Sequence, residues 1–319
     1  ANKVIGSLNH PDYKSIIAVP VMIQNNQIGV LVLLQEVGEA FNREMVDIIS
    51  TFVNQAGISL ENFHLIKEAI ETERYKEELK IAKSVQKSLL PDEMSHNECF
   101  EILGYSMAAD EVGGDYYDVL EPTKDVFNLI IGDVSGKGTS AAFNMAQMRG
   151  IFHSLAQKDE SPSEFIKQAN SAMSRCLERS SFITAMYFRI YTRKGVMDYV
   201  RAGHCPALFY SASSKEFCHL ENNGLGLGIL RNSEYDQYVE ENTIAYEPGD
   251  MLFLYTDGIV EAKNDDNQQF GLEGLEPSLL KHINKPLEDV KDGVIDDLMS
   301  FLNGNKLDDD YSLAIVRFR

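Results

Sequence analysis

Hydrophobic and polar positions divide the chain into stretches of different periodicity. Residues 16 to 22 (IIAVPVM) and 28 to 34 (IGVLVLL) are short apolar runs rich in β-branched side chains, and the polar Gln24-Asn25-Asn26-Gln27 lies between them. This predicts two strands joined by a tight turn. Phe41-Asn42 then caps a helical stretch in which Met45, Ile49, Phe52, Ala56, Leu60, Phe63, Ile66 and Ile70 recur every three or four residues, as one apolar face of a helix. Tyr75, Ala82 and Leu89, with Leu79 and Val85 beside them, keep a seven-residue interval but begin five residues after Ile70. The offset predicts a stop or kink over 71 to 74 and a connector from 75 to 90 that ends at Pro91. The Glu- and Lys-rich surface of the connector suits either a solvated helix packed on its own domain or a short parallel coiled coil in a dimer.

From residue 101 onward strands alternate with helices. Strands are predicted over 101–107, 126–131, 182–191, 196–201, 206–210, 251–255 and 311–318. A helix over 139–156 carries small Ala141, Ala142 and Ala146 for close packing, and one over 162–178 is opened by the capping box Ser161-Pro162-Ser163-Glu164. A third, over 287–302, buries Leu287, Val290, Val294, Leu298 and Phe301 and stops at Gly304. Strands in runs with helices to cover them predict a layered α+β domain.

A length of 319 residues with 44% hydrophobic positions is enough for about two domains with real cores. The 49 acidic residues against 29 lysines and arginines give a net charge of −20, which argues against nucleic acid or membrane as default partners. Cys99, Cys176, Cys205 and Cys218 form no metal or disulfide spacing, so reduced thiols and a cytoplasmic location are expected. No apolar run reaches the roughly 18 residues of a membrane span. The start, Ala1-Asn2-Lys3-Val4, has neither signal-peptide character nor an initiator Met, and a processed or trimmed N-terminus is expected.

The placement of particular carboxylates carries the chemistry. Leu129-Ile130-Ile131 runs into Gly132-Asp133-Val134-Ser135-Gly136-Lys137-Gly138, and Leu252-Phe253-Leu254-Tyr255 runs into Thr256-Asp257-Gly258. Each apolar strand thus delivers a carboxylate to its C-terminal edge beside a glycine that permits close approach. Asp308-Asp309-Asp310 precedes the last strand, and Asp115 and Asp118 lie in Gly113-Gly114-Asp115-Tyr116-Tyr117-Asp118. If these edges converge, like charges disfavour ionisation unless a cation is present. All-oxygen ligation points to Mg²⁺ or Mn²⁺. Asp265-Asp266-Asn267 with Glu273 lacks the glycine of a calcium loop, where Phe270 stands, and reads as a turn.

Glu111-Val-Gly-Gly-Asp-Tyr-Tyr-Asp118, Gly132-Asp-Val-Ser-Gly-Lys-Gly138, Ala202-Gly-His-Cys-Pro206, Tyr255-Thr-Asp-Gly-Ile259 with Glu261-Ala262, and Asp309-Asp-Tyr-Ser312 together resemble, in this order, the bacterial PP2C-like serine/threonine phosphatases of the SpoIIE/RsbU type. The resemblance covers about residues 80–319. Residues 16–72 resemble, more weakly, the C-terminal part of a GAF domain, and Ile81-Ala-Lys-Ser-Val-Gln-Lys-Ser-Leu-Leu-Pro91 resembles the connector of GAF-linked phosphatases.

The resemblance implies an α+β fold in which a PP2C-like β-sandwich is flanked by helices (α/β/β/α). It implies a partial GAF sensory region over 1–72, a linker helix over 73–92 and a phosphatase domain over 93–319. Two Mn²⁺ or Mg²⁺ ions are expected: Asp133 bridges both with help from the Val134 carbonyl, Asp115 holds one, and Asp257 and Asp309 hold the other. Asp118 and Asp310 are expected in an outer shell or at a third ion.

Hydrolysis would use metal-activated water without a phospho-enzyme, on a phosphoserine or phosphothreonine protein such as a STAS-type anti-sigma-factor antagonist. Residues 45–90 are expected to form a homodimer that transmits control. Residues 101–114 lack the phosphate-binding Arg of eukaryotic relatives, which leaves Lys137, backbone amides or the metals to hold the phosphate. Arg201 stands where Asn is common, and His204 either donates to substrate or ties down its own loop. The competing reading is a catalytically silent regulatory module on the same fold.

Overall fold

The computed structural model describes residues 13–23, 26–91 and 98–319. The chain divides into two units, Ala1–Glu78 and Leu79–Arg319. In the first, β1 (Ser15–Ile23) and β2 (Asn26–Gln35) pair antiparallel from Ser15 opposite Gln35 to Ile23 opposite Asn26. The strands run further toward the turn than the apolar runs alone indicate, and residues 24 and 25 of that turn lie outside the described residues. The helix α1 (Arg43–Lys87) begins where the Asn42 side chain accepts the Met45 N–H at 2.8 Å. Gly57 allows α1 to touch β1, since a Cβ there would lie 2.4 Å from the Met22 carbonyl oxygen.

The predicted break over 71–74 does not occur: α1 is one helix of 45 residues. An offset in apolar positions turns the stripe onto another face without removing a backbone hydrogen bond, and residues 58–90 contain no Gly or Pro. Pairs four residues apart, Lys67 with Glu71 and Arg74 with Glu78, add local support through this stretch. The face predicted from the periodicity, including Phe52, Phe63, Ile66 and Ile70, is exposed, while Val53 and Gly57 are the buried residues of α1.

The second unit is a sandwich of two five-stranded sheets. One sheet has β4 (Tyr116–Thr123), β5 (Val126–Val134), β6 (Ile183–Tyr191), β7 (Val196–Ala202) and β10 (Glu241–Ala245) in the order β10-β7-β6-β5-β4. The other has β3 (Phe100–Met107), β8 (Ala207–Ser211), β9 (Glu216–Leu220), β11 (Met251–Tyr255) and β12 (Tyr311–Phe318) in the order β3-β12-β11-β8-β9. All described ladders in both sheets are antiparallel.

Alternation along each strand produces three cores. Leu129, Ile131, Phe188, Leu252, Leu254, Ala314 and their neighbours fill the space between the sheets. The outer face of the first sheet is covered by α2 (Thr139–Leu155) and α3 (Pro162–Cys176), where Phe165 stacks on Tyr187 at 3.9 Å. The outer face of the second is covered by α5 (Gly271–His282) and α6 (Leu287–Leu302), which follow the one-turn α4 (Asp257–Val260). The result is the α/β/β/α sandwich expected.

The predicted helices and strands of this unit are present. The structure adds β4, β9, β10, α4 and α5, which the apolar pattern did not predict. β9 and β10 are half-exposed sheet edges, and α5 contains Gly274 and Pro277 yet is held by burial of Leu275 and Leu279.

Candidate active site

The sandwich interior ends, at one edge, in carboxylates rather than apolar side chains. Asp133 continues the inward face of β5 after Leu129 and Ile131, and Asp115 stands two residues before inward Tyr117 of β4. From the facing sheet, Thr256 follows inward Leu252 and Leu254, while Ser312 precedes inward Ala314. The period of two therefore brings side chains from both sheets to one end of the core.

Asp115 is buried, and its Oδ2 accepts hydrogen bonds from Ser312 Oγ at 2.7 Å and Thr256 Oγ1 at 2.8 Å. Burial and then the charge of Asp133 push its carboxyl well above the usual range, against those hydroxyl donors. Asp133 is raised to about 7 by burial, followed by the charges of Asp257, Asp309 and Asp310. Asp257, the first residue of α4, is raised by burial and then by Glu261 and Asp309. Asp309 is half exposed, accepts the Asp310 N–H at 3.0 Å and lies 3.3 Å from Lys137 Nζ. Lys137 also donates to the Asp308 carbonyl.

Asp310 accepts the N–H of Ala109 at 2.9 Å and of Gly114 at 2.6 Å, so it fastens the loop that carries Asp115. Asp118 belongs to a separate network under α2, where Tyr116 Oη, His153 Nε2 and Arg149 Nε stand 2.8, 2.7 and 3.6 Å from its Oδ2. His204 is buried and tied by Thr184 Oγ1 to its Nδ1 at 2.8 Å, and Arg201 donates to its carbonyl. Burial lowers its imidazole to about 4, against the nearby Tyr255 backbone, although Nε2 has no partner at hydrogen-bonding geometry. A neutral ring anchored in this way fits the loop-tying role.

Gln86, which the motifs did not single out, clamps the site's approach from within the second unit: its amide accepts from Gly113 N at 3.1 Å and donates to Gly113 O. Thr256 and Glu261 were likewise legible only as members of a motif. A cavity of about 390 Å³ next to Gln86 has Asp115 and Asp310 in its wall.

Among the described residues, no three acidic, histidine or cysteine side chains close on one point as a finished metal cage. The donor chemistry nevertheless fits a hard cation: the edge offers carboxylates whose proton affinity is raised by burial and then by neighbouring acids, and the thiol beside them, Cys205, is pushed up to about 12 by burial and then by Asp257, so it stays protonated and is a poor ligand. The Gly114 backbone also comes close to these donors, closer than a side chain would allow. A Cβ on Gly114 would stand 2.7 Å from the Val134 carbonyl oxygen and 3.2 Å from Asp133 Oδ1.

A model of Stage II sporulation protein E (SpoIIE) matches residues 123–319, and a GAF domain model matches residues 4–60. The chain is 31% identical over 242 residues to phosphoserine phosphatase RsbU of Bacillus subtilis (strain 168), covering 76% of this chain and 70% of that protein. It is 26% identical over 245 residues to phosphoserine phosphatase RsbP of the same organism, covering 76% of this chain but 58% of RsbP. The solved SiaA-PP2C domain of Pseudomonas aeruginosa superposes with a TM-score of 0.68 at 18% identity, over 79% of this chain and 100% of that one, a likeness of fold.

Proposed function

The chain belongs to the SpoIIE family of PP2C-like protein serine/threonine phosphatases, and on that premise we propose that its acidic edge is the metal centre where a phosphoserine or phosphothreonine protein is hydrolysed. Phosphatases of this type use divalent metals. In this chain Asp133, assisted by the Val134 carbonyl, Asp115, Asp257 and Asp309 would hold two Mn²⁺ or Mg²⁺ ions. The observation that carries the reading is the delivery of Asp115 and Asp133 from one sheet and Asp257 from the facing sheet to the same end of the inter-sheet core, where burial first, and then Asp133 for Asp115 and Asp257 for Asp133, disfavour the charged carboxylates, a cost that a divalent cation would relieve.

Bound divalent metal supplies a Lewis acid that acidifies water and offsets charge on the phosphoryl group. The protein's part is positional. Thr256 and Ser312 aim Asp115 through its Oδ2, Asp310 fixes the 109–114 loop, and His204 holds the turn after β7. No side-chain nucleophile is required of the chain, and Ser135 is engaged with the Phe182 N–H at 2.9 Å.

The substrate is a phosphorylated STAS-type anti-sigma-factor antagonist in a cytoplasmic signalling pathway. Residues 1–72 act as the sensory region, 73–92 as the linker and 93–319 as the catalytic domain. The exposed stripe Phe52, Phe63, Ile66 and Ile70 suits a second copy of the chain, and the Gln86 clamp on Gly113 gives the linker a hold two residues from Asp115.

The test is phosphate release from a phosphoserine STAS-domain protein and from an unrelated phosphoserine peptide, each with Mn²⁺ or with EDTA. Release from the STAS protein that needs Mn²⁺ and greatly exceeds release from the peptide supports the reading. Equal rates on both overturn the substrate assignment. Turnover undiminished in EDTA overturns the metal centre, and no turnover on either returns the catalytically silent module.

A further inference from the structure

The acidic edge is served by very little positive charge. Among the described residues, Lys137 is the one lysine or arginine in ion-pair range of Asp115, Asp133, Asp257, Asp309 or Asp310, through its 3.3 Å approach to Asp309 Oδ1. It sits between Gly136 and Gly138, whose φ of 94° and 74° lie in the left-handed region, with nothing within 4 Å of a Cβ built on either. The segment is tied at its ends, by Ser135 to the Phe182 backbone and by the Gly138 carbonyl to the Ala142 N–H, but nothing packs on the glycines themselves, and the lysine stem, whose ammonium also donates to the Asp308 carbonyl, is long and flexible. Lys137 and Asp309 have side chains 49% and 51% exposed, so their pairing is one that another cation can displace at small cost.

We propose that Lys137 is a built-in counter-cation of the acidic edge: it holds Asp309 in the metal-free chain, competes with a divalent ion for that carboxylate, and once displaced turns to the anionic phosphoserine of the substrate. The proposal rests on the metal-dependent phosphatase reading and adds a residue to it. An ammonium and a divalent ion repel one another across a shared carboxylate, so occupancy by one weakens the other. The displaced ammonium then has an anion to receive, and residues 101–114 provide no lysine or arginine for that task. One side chain thereby neutralises the edge before metal arrives and orients substrate afterwards.

The experiment compares the full chain with Lys137→Met and Lys137→Arg. Free Mn²⁺ is read by electron paramagnetic resonance in the absence of substrate, and KM for a phosphoserine protein is read at saturating Mn²⁺. Lys137→Met is expected to bind Mn²⁺ roughly two- to fivefold more tightly while its KM rises about tenfold. Lys137→Arg is expected to bring both values back toward those of the parent chain. Mn²⁺ affinity that is unchanged or weaker in Lys137→Met overturns the proposal and leaves the lysine as a loop tether. A parent chain that neither binds Mn²⁺ nor turns over substrate overturns the phosphatase reading as well, whereas normal binding and turnover with an unaltered Lys137→Met overturns the counter-cation alone.

Discussion

Replacing Asp133 with asparagine should stabilise the metal-free protein at alkaline pH. Burial and the charges of Asp257, Asp309 and Asp310 raise the Asp133 carboxyl from 3.8 to about 7. The folded chain therefore holds this proton more tightly than the unfolded chain does. Stability is undiminished by the group below pH of about 4, falls as pH rises toward 7, and carries the full penalty above that. A rise of this size corresponds to at most about 4 kcal/mol. The asparagine side chain cannot ionise, so Asp133→Asn escapes the loss, and the catalytic domain should melt higher by up to about 10 °C at pH 8. The assay is differential scanning calorimetry in EDTA at pH 5 and pH 8, repeated with Mn²⁺. The variant should exceed the parent at pH 8, approach it at pH 5, and gain far less from Mn²⁺. A metal-free variant no more stable than the parent at pH 8, or a difference equal at the two pH values, would refute the reasoning.

Other consequences follow from the hydrogen bonds and close approaches. Ser312→Ala removes one of two hydroxyl donors to Asp115 Oδ2, and urea unfolding at pH 8 with saturating Mn²⁺ should show a loss of about 1.5–3 kcal/mol. Gly114→Ala places a Cβ 2.7 Å from the Val134 carbonyl oxygen and 3.2 Å from Asp133 Oδ1. It should cost about 1–3 kcal/mol in stability and weaken Mn²⁺ binding in calorimetric titration, and an unchanged affinity would separate this close approach from the metal centre. The His204 imidazole, lowered to about 4 by burial, should remain neutral from pH 5 to pH 9 in proton NMR. A midpoint near 6.5 would show that the ring is solvated and free to act on substrate.

The sandwich was legible because its central strands are long apolar runs, the helix over 162–176 has a side-chain cap at Ser161, and those over 139–155 and 287–302 carry small or apolar stripes. β9 and β10 escaped because half-exposed edge strands of five residues carry little apolar signal. The predicted helix break failed for a different reason: heptad register reports which face is apolar, while helix continuity depends on backbone hydrogen bonds that no Gly or Pro interrupts between 58 and 90.

At the site, the order of motifs named Asp115, Asp133, Asp257 and Asp309 but could not apportion the remaining acids. Asp118 shares a motif with Asp115, and Asp310 shares one with Asp309, yet the two fold into different environments. One joins Arg149 and His153 beneath α2, while the other holds the 109–114 loop. The hydroxyl pair on Asp115 and the Gln86 clamp join residues between 27 and 197 positions apart, a relation that only the folded chain supplies.

In the proposed centre, hydrolysis depends on metal held by the carboxylates at the sandwich edge. The most direct test is the initial rate of phosphate release from a phosphoserine protein as Mn²⁺ is raised from zero, for the parent chain and Asp133→Asn. The parent rate should climb from background to saturation while the variant stays at background at every concentration. A parent rate independent of Mn²⁺, or a variant that reaches the parent's plateau, would contradict the account.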